Sequence, residues 1–88
     1  MTVEPSRQFG RDVRRLGSSQ IRRRLDRTIQ ELIEVADITE VSGIRRLLAE
    51  GQHYRIRIGD YRLGITMDGE TAVLRRFLPR GEIYRYFP

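Results

Sequence analysis

The sequence predicts an α+β domain, with a helical N-terminal half and a strand-rich C-terminal half. Apolar residues recur at helical spacing from Phe9 to Ile33. The period changes to strict alternation at Tyr54, and Gly59-Asp60 and Asp68-Gly69 punctuate the alternating part. The expected arrangement is an N-terminal antiparallel helical hairpin packed on a small, mainly antiparallel β-sheet. At 88 residues it forms one domain over residues 1–88.

The first helix is expected over Arg7–Leu16. Ser6 can cap its start, Phe9, Val13 and Leu16 share a face, and Gly17 can end it. Ser18 or Ser19 then caps a longer helix whose apolar face carries Ile21, Leu25, Ile29, Leu32, Ile33 and Ala36. So short a connection makes the two helices an antiparallel pair. Residues 37–53 read as an irregular or partly helical connection containing Gly43, with Ile38, Val41, Ile44, Leu47 and Leu48 buried. Three strands follow, over residues 54–58, 61–67 and 70–78, and Pro79 ends the last. Val3 and its neighbours can add a short edge strand, which Pro5 limits.

Composition excludes several kinds of chemistry. With no cysteine, the chain has no disulfide, thiolate nucleophile or cysteine-ligated metal site. A single histidine, His53, cannot build a multi-histidine metal centre, so neither metal nor cofactor is expected. No apolar run reaches the length of a membrane span and the N-terminus lacks a signal-peptide core, so the expected location is the cytoplasm, away from membranes. All 17 cations are arginine, and the net charge of +5 suggests a polyanionic partner. Every one is a planar fork suited to phosphate and stays charged at neutral pH. The basic residues concentrate in 1–27 and 51–88, around an acidic middle.

Strand geometry places several arginines together. Arg55 and Arg57 share a face, and a two-residue Gly59-Asp60 loop sets Arg57 opposite Arg62. Carrying the register through Asp68-Gly69 sets Arg75 beside Arg62, completing a row of three, with Arg76 taking its place if a β-bulge intervenes. Charge alternation alone describes a solvated face neutralised by Asp60, Glu70 and Glu82. Gly64 lies on the same face and would leave room for an anion beside three guanidinium groups. In the tail, Arg80 and Tyr84 are four residues apart and share a side whether the segment is helical or extended. Arg22, Arg23, Arg24 and Arg27 read as a solvated helix face, with contact to nucleic-acid phosphates as a secondary role.

The helical pair, YRIRIGDYRLGI (54–65) and RFLPRGEIYRYFP (76–88) together resemble the RelE/ParE superfamily of toxins from bacterial toxin–antitoxin pairs. The resemblance runs from about Val3 to Tyr84 and implies a RelE-like fold. In RelE-type members, residues matched by Arg55 and Arg57 contact RNA and the arginine matched by Arg62 holds the scissile phosphate. Those matched by Arg80 and Tyr84 assist the leaving and attacking groups. Such members cut messenger RNA in the decoding site of the ribosome. The resemblance therefore implies a ribosome-dependent endoribonuclease, with ribosome, messenger RNA and a cognate antitoxin as partners. Arg75 and Arg85 join Arg55 and Arg57 as expected RNA contacts. Only four residues follow Tyr84, so no C-terminal helix is expected beyond it. ParE-type relatives share the fold, poison DNA gyrase and generally lack this basic-and-tyrosine set. A gyrase inhibitor and a non-catalytic RNA-binding module are the two alternatives.

Cleavage of RNA by its own 2′-OH requires that hydroxyl deprotonated, the phosphorane charge stabilised and the 5′-oxygen protonated. Arginine, with a pKa above ~12, cannot be the base. It can stabilise the developing charge, commonly the largest catalytic contribution. A tyrosine begins near pKa ~10 and is lowered by neighbouring guanidiniums. Tyr84 is therefore the candidate acid/base. Glu82 and His53 are weaker candidates, and His53 reads better as a loop-end residue without a catalytic role. So few ordinary bases imply that the ribosome orients the substrate.

Overall fold

Ser6 and Ser18 divide the first third of the chain, each capping a helix as its sequence position suggests. In the computed structural model, which describes residues 1–47 and 51–88, Ser6 Oγ accepts from Phe9 N at 3.1 Å and Ser18 Oγ from Ile21 N at 3.2 Å. The helices are α1 (Arg7–Arg14) and α2 (Ser19–Glu34). A strand precedes both: β1 (Thr2–Pro5). After α2 come a 3₁₀ turn (Ile38–Glu40) and four strands, β2 (Ile44–Arg46), β3 (His53–Ile58), β4 (Tyr61–Asp68) and β5 (Thr71–Pro79). A single helical turn, α3 (Ile83–Tyr86), carries Tyr84 near the C-terminus, and among the described residues no helix follows it.

The five strands form one sheet in the order β1-β5-β4-β3-β2. Three pairings are antiparallel, and β1 lies parallel to β5. β1 is the edge strand anticipated at Val3. The helical hairpin is not confirmed in the form expected, because a strand comes first and α1 is anchored along β5. The 3₁₀ turn agrees with the reading of residues 37–53 as an irregular or partly helical connection, whereas β2 corrects it over Ile44–Arg46. Ile38 and Val41 are buried as expected, Ile44 and Leu47 are partly so, and Leu48 lies outside the described residues.

Alternation sorts the strands' side chains between two faces. Tyr54, Ile56 and Ile58 of β3, Leu63 and Ile65 of β4, and Leu74 and Phe77 of β5 meet Leu25 and Leu32 of α2 in the core. Ile33 stands outside it, 48% exposed, because the apolar stripe of α2 is narrower than the sequence pattern suggests.

The β5 edge continues past the end of β1, and α1 covers it. Ser6 N donates to Leu74 O at 2.9 Å, Ser6 Oγ to Arg75 O at 3.0 Å, and Phe77 N to Asp12 Oδ2 at 2.9 Å. Asp12 is buried and also takes two bonds from Arg76, Nε–Oδ2 at 2.8 Å and NH2–Oδ1 at 3.1 Å. One carboxylate thus closes the edge of the sheet and pairs with an arginine beneath α1.

Candidate functional site

The β3–β4 register is the one the Gly59-Asp60 loop requires. Arg57 faces Arg62, Ile56 faces Leu63, and Arg55 faces Gly64. Gly59 opens the turn at φ +58°, a conformation that glycine adopts without strain.

The β4–β5 register differs from the expected one. The loop residues are Gly69 and Glu70, since Asp68 pairs with Thr71, and Gly69 takes φ +59°. A bulge between the Gly64 and Ile65 pairings then places one extra residue, Arg75, in β5. Together these put Leu78 opposite Arg62 and Arg76 opposite Gly64. The expected row Arg57–Arg62–Arg75 does not form. Arg75 is exposed at the bulge, beside a small cavity it shares with Gln8, His53, Thr66 and Phe87. A different row crosses the sheet: Arg45 of β2 faces Arg55, Arg55 faces Gly64, and Gly64 faces Arg76. Arg45 escaped the sequence reading because β2 did.

The space above Gly64 is filled. A methyl group at Gly64 would stand 2.6 to 2.9 Å from three atoms of the Phe87 ring, so the tail occupies the room expected for an anion. The His53 ring meets Phe87 edge-on with centroids 5.6 Å apart, and its Nδ1 lies 3.0 Å from Thr66 Oγ1. Arg76 stands 5.0 Å from the Tyr86 ring centre, a cation–π contact held in place by Asp12. Its hydrogen bonds to Asp12 raise the pKa of Arg76 despite its partial burial.

Several cations gather instead at the Arg62 end of the face. The Arg62 guanidinium is partly buried and donates through NH1 to Gly59 O at 3.0 Å and Tyr61 O at 2.9 Å. Burial lowers its pKa from the ordinary value, and the charges of Arg55, Arg57 and Arg80 act in the same direction, while Tyr84 opposes them. Arg80 reaches this end because its backbone N–H donates to Asp60 O at 2.8 Å, tying the β5–α3 turn to the β3–β4 turn. Arg55, Arg57, Arg80 and Tyr84 thus all lie near enough to act electrostatically on Arg62, although the five come from two strands and the tail. Arg85 is exposed beside Tyr84 on α3. Arg24 approaches the same turn from α2, with NH1 3.0 Å from the position a Gly59 Cβ would take. Of the weaker acid/base candidates, His53 is engaged with Thr66 and Phe87, and Glu82 lines a cleft with Asp12, Arg15 and Tyr61.

No protein-family model matches the chain. Among known proteins, the toxin RelE3 of Methanocaldococcus jannaschii is 34% identical over 89 residues, covering all of both chains. This chain belongs to the RelE toxin family. The toxin–antitoxin complex RelB-RelE from Methanococcus jannaschii agrees, with a TM-score of 0.82 and 32% identity over 97% of this chain and 99% of that one. YafQ from E. coli strain BL21(DE3) shares the fold at a TM-score of 0.71 and 18% identity, covering 93% and 96% of the two chains. The RelE fold here thus carries its basic cluster on the sheet face opposite α2, bordered by a short tail.

Proposed function

We propose that this RelE-family toxin is a ribosome-dependent endoribonuclease that cuts messenger RNA and so stops translation. The observation that carries this reading is the Arg62 guanidinium, fixed by two backbone carbonyls and surrounded by Arg55, Arg57, Arg80 and Tyr84. A preorganised cation of this kind stabilises charge that develops on a phosphate without having to reorganise. In the proposed reaction the 2′-oxygen of one nucleotide attacks its own 3′-phosphate. The 2′-O–P bond forms, the P–O5′ bond breaks, and the products are a 2′,3′-cyclic phosphate and a 5′-hydroxyl. Arg62 holds the non-bridging oxygens, Tyr84 moves the proton, and Arg80 neutralises charge on the reacting oxygens. Arg55, Arg57 and Arg85 bind the flanking backbone.

Arg75, at the bulge, belongs to the periphery of this surface and would contact RNA away from the cut. The partner is a cognate antitoxin, as in the RelB-RelE complex that the chain resembles. Among the described residues no helix is long and apolar enough to cross a membrane. The cytoplasm, where ribosomes lie, is the proposed location.

Induced expression followed by mapping of messenger RNA 5′ ends tests the reading, repeated with purified toxin in the presence and absence of ribosomes. New ends that require ribosomes are expected. Inhibition of purified gyrase without new RNA ends would replace this reading with the ParE-like one.

A further inference from the structure

Gly64 lies in the middle of the arginine face, with Arg55 opposite it on one side and Arg76 on the other. The Phe87 ring occupies the space that any larger residue at Gly64 would need. Phe87 is 4% exposed although it lies almost at the end of the chain, and Ile83, one helical turn earlier, is fully buried. Phe87 N donates to Ile83 O at 2.8 Å, which closes α3, while Tyr86 is held against Arg76. α3 has four residues and no side-chain cap at its start. So short a helix has almost no stability of its own, and its orientation must come from what it touches.

We propose that Gly64 and Phe87 are positioning residues. The ring seated on Gly64 fixes α3 across the sheet and thereby keeps Tyr84 at the Arg62 end. Tyr84 itself is 57% exposed, so contacts made by its own side chain do little to hold it. Releasing the ring removes one of the anchors of the turn that carries Tyr84, leaving Ile83 and the Arg76–Tyr86 contact to hold it less firmly, while Arg55, Arg57 and Arg62 stay on their strands. Substrate binding then survives and the chemical step suffers. This inference rests on the cleavage reading above for its effect on rate, whereas the lock itself is a structural claim.

The experiment combines kinetics on programmed ribosomes with NMR of the isolated toxin, using Gly64→Ala, Phe87→Ala, Phe87→Leu and the double variant Gly64→Ala/Phe87→Ala. A misplacement of about 1 Å costs a rate on the order of 100-fold, so Gly64→Ala and Phe87→Ala should lower kcat by about that factor. KM should change by less than about threefold, as expected when only transition-state interactions are lost. The double variant should be no slower than the slower single variant, because both remove one contact. Phe87→Leu, which restores an apolar side chain over Gly64, should recover most of kcat. Unchanged kcat in both single variants, or equal losses through KM, would overturn the proposal.

The NMR arm is independent of cleavage. The Gly64 Hα resonance should be displaced by the Phe87 ring current in the wild type, and Phe87→Ala should return it and shift the Tyr84 ring signals. A Gly64 Hα at its random-coil position overturns the lock whatever the kinetics show. Normal ring-current shifts in a wild type that cleaves nothing on ribosomes would reject the nuclease reading and the positioning role with it, leaving the lock as packing only.

Discussion

Arg57 and Arg62 face each other directly across the β3–β4 ladder, two like-charged residues in register on one face of the sheet. Cross-strand like charges cost about 0.2–1 kcal/mol, so this pair opposes folding. Arg57→Ala is accordingly expected to raise stability by about that amount in a denaturation experiment while weakening toxicity. Arg62→Ala should abolish growth inhibition. Its stability should change little, because relief of repulsion is offset by loss of the bonds to Gly59 O and Tyr61 O. Full toxicity in a folded Arg62→Ala protein would remove Arg62 from the phosphate site.

Tyr84 gives the second prediction. Tyr84→Phe should slow cleavage by roughly 10²–10⁴, the usual contribution of a proton-transferring group, with ribosome binding and melting temperature unchanged. Single-turnover cleavage alongside a binding assay separates the two effects. A Tyr84→Phe protein that cuts at the wild-type rate would move the proton-transfer role to another group.

A third prediction concerns the buried carboxylate. Asp12→Ala removes the acceptor for Arg76 and for Phe77 N at once. Breaking a buried ion pair from one side costs about 3–5 kcal/mol, and the lower end applies because the Arg76 side chain retains some contact with water. Urea denaturation measures this. A loss below about 1 kcal/mol would mean that water replaces Asp12 without penalty.

Gly69 tests the hairpin. At φ +59° a side chain is strained, and Gly69→Ala should destabilise by about 1–2 kcal/mol even though nothing crowds the position. An unchanged midpoint in thermal unfolding would contradict the assigned turn.

The fifth prediction is the partner. A cognate antitoxin should co-purify with this toxin, restore growth and raise its melting temperature by mass action. Its binding segment is expected to be acidic and amphipathic, to fold on binding, and to cover the Arg55–Arg62–Arg80 surface. Salt-dependent association kinetics check the electrostatic part. A candidate antitoxin that neither binds nor rescues would leave the proposed partnership unsupported.

The β3–β4 hairpin was legible because its two-residue loop and strict alternation together fix one register. β5 was legible as a strand but its register was not, because Asp68-Gly69 resembles a loop pair while the actual loop is Gly69-Glu70, and a bulge leaves no mark in the sequence. β2 is three residues long, too short for a period to show. The convergence of Arg55, Arg57 and Arg62 followed from strand geometry. Arg80 and Tyr84 joined them only through the family resemblance, since a turn must carry them there. The missing Cβ of Gly64 does leave room on this face, and the Phe87 ring fills it. The union of Asp12 with Arg76 bridges α1 and β5, and local pattern carries no trace of it.

The parallel pairing of β1 with β5 bears on the order in which the molecule assembles. Thr2 pairs with Thr71 and Pro5 with Leu74, so the first strand to be synthesised waits for the last before it has a partner. Closing so long a loop is slow compared with forming the local β3–β4 hairpin. In pulsed hydrogen exchange during refolding, amides of β3 and β4 should gain protection before those of β1. In that order of assembly the arginine-bearing hairpin precedes the sheet, and the closing of β1 on β5 is the step that completes it.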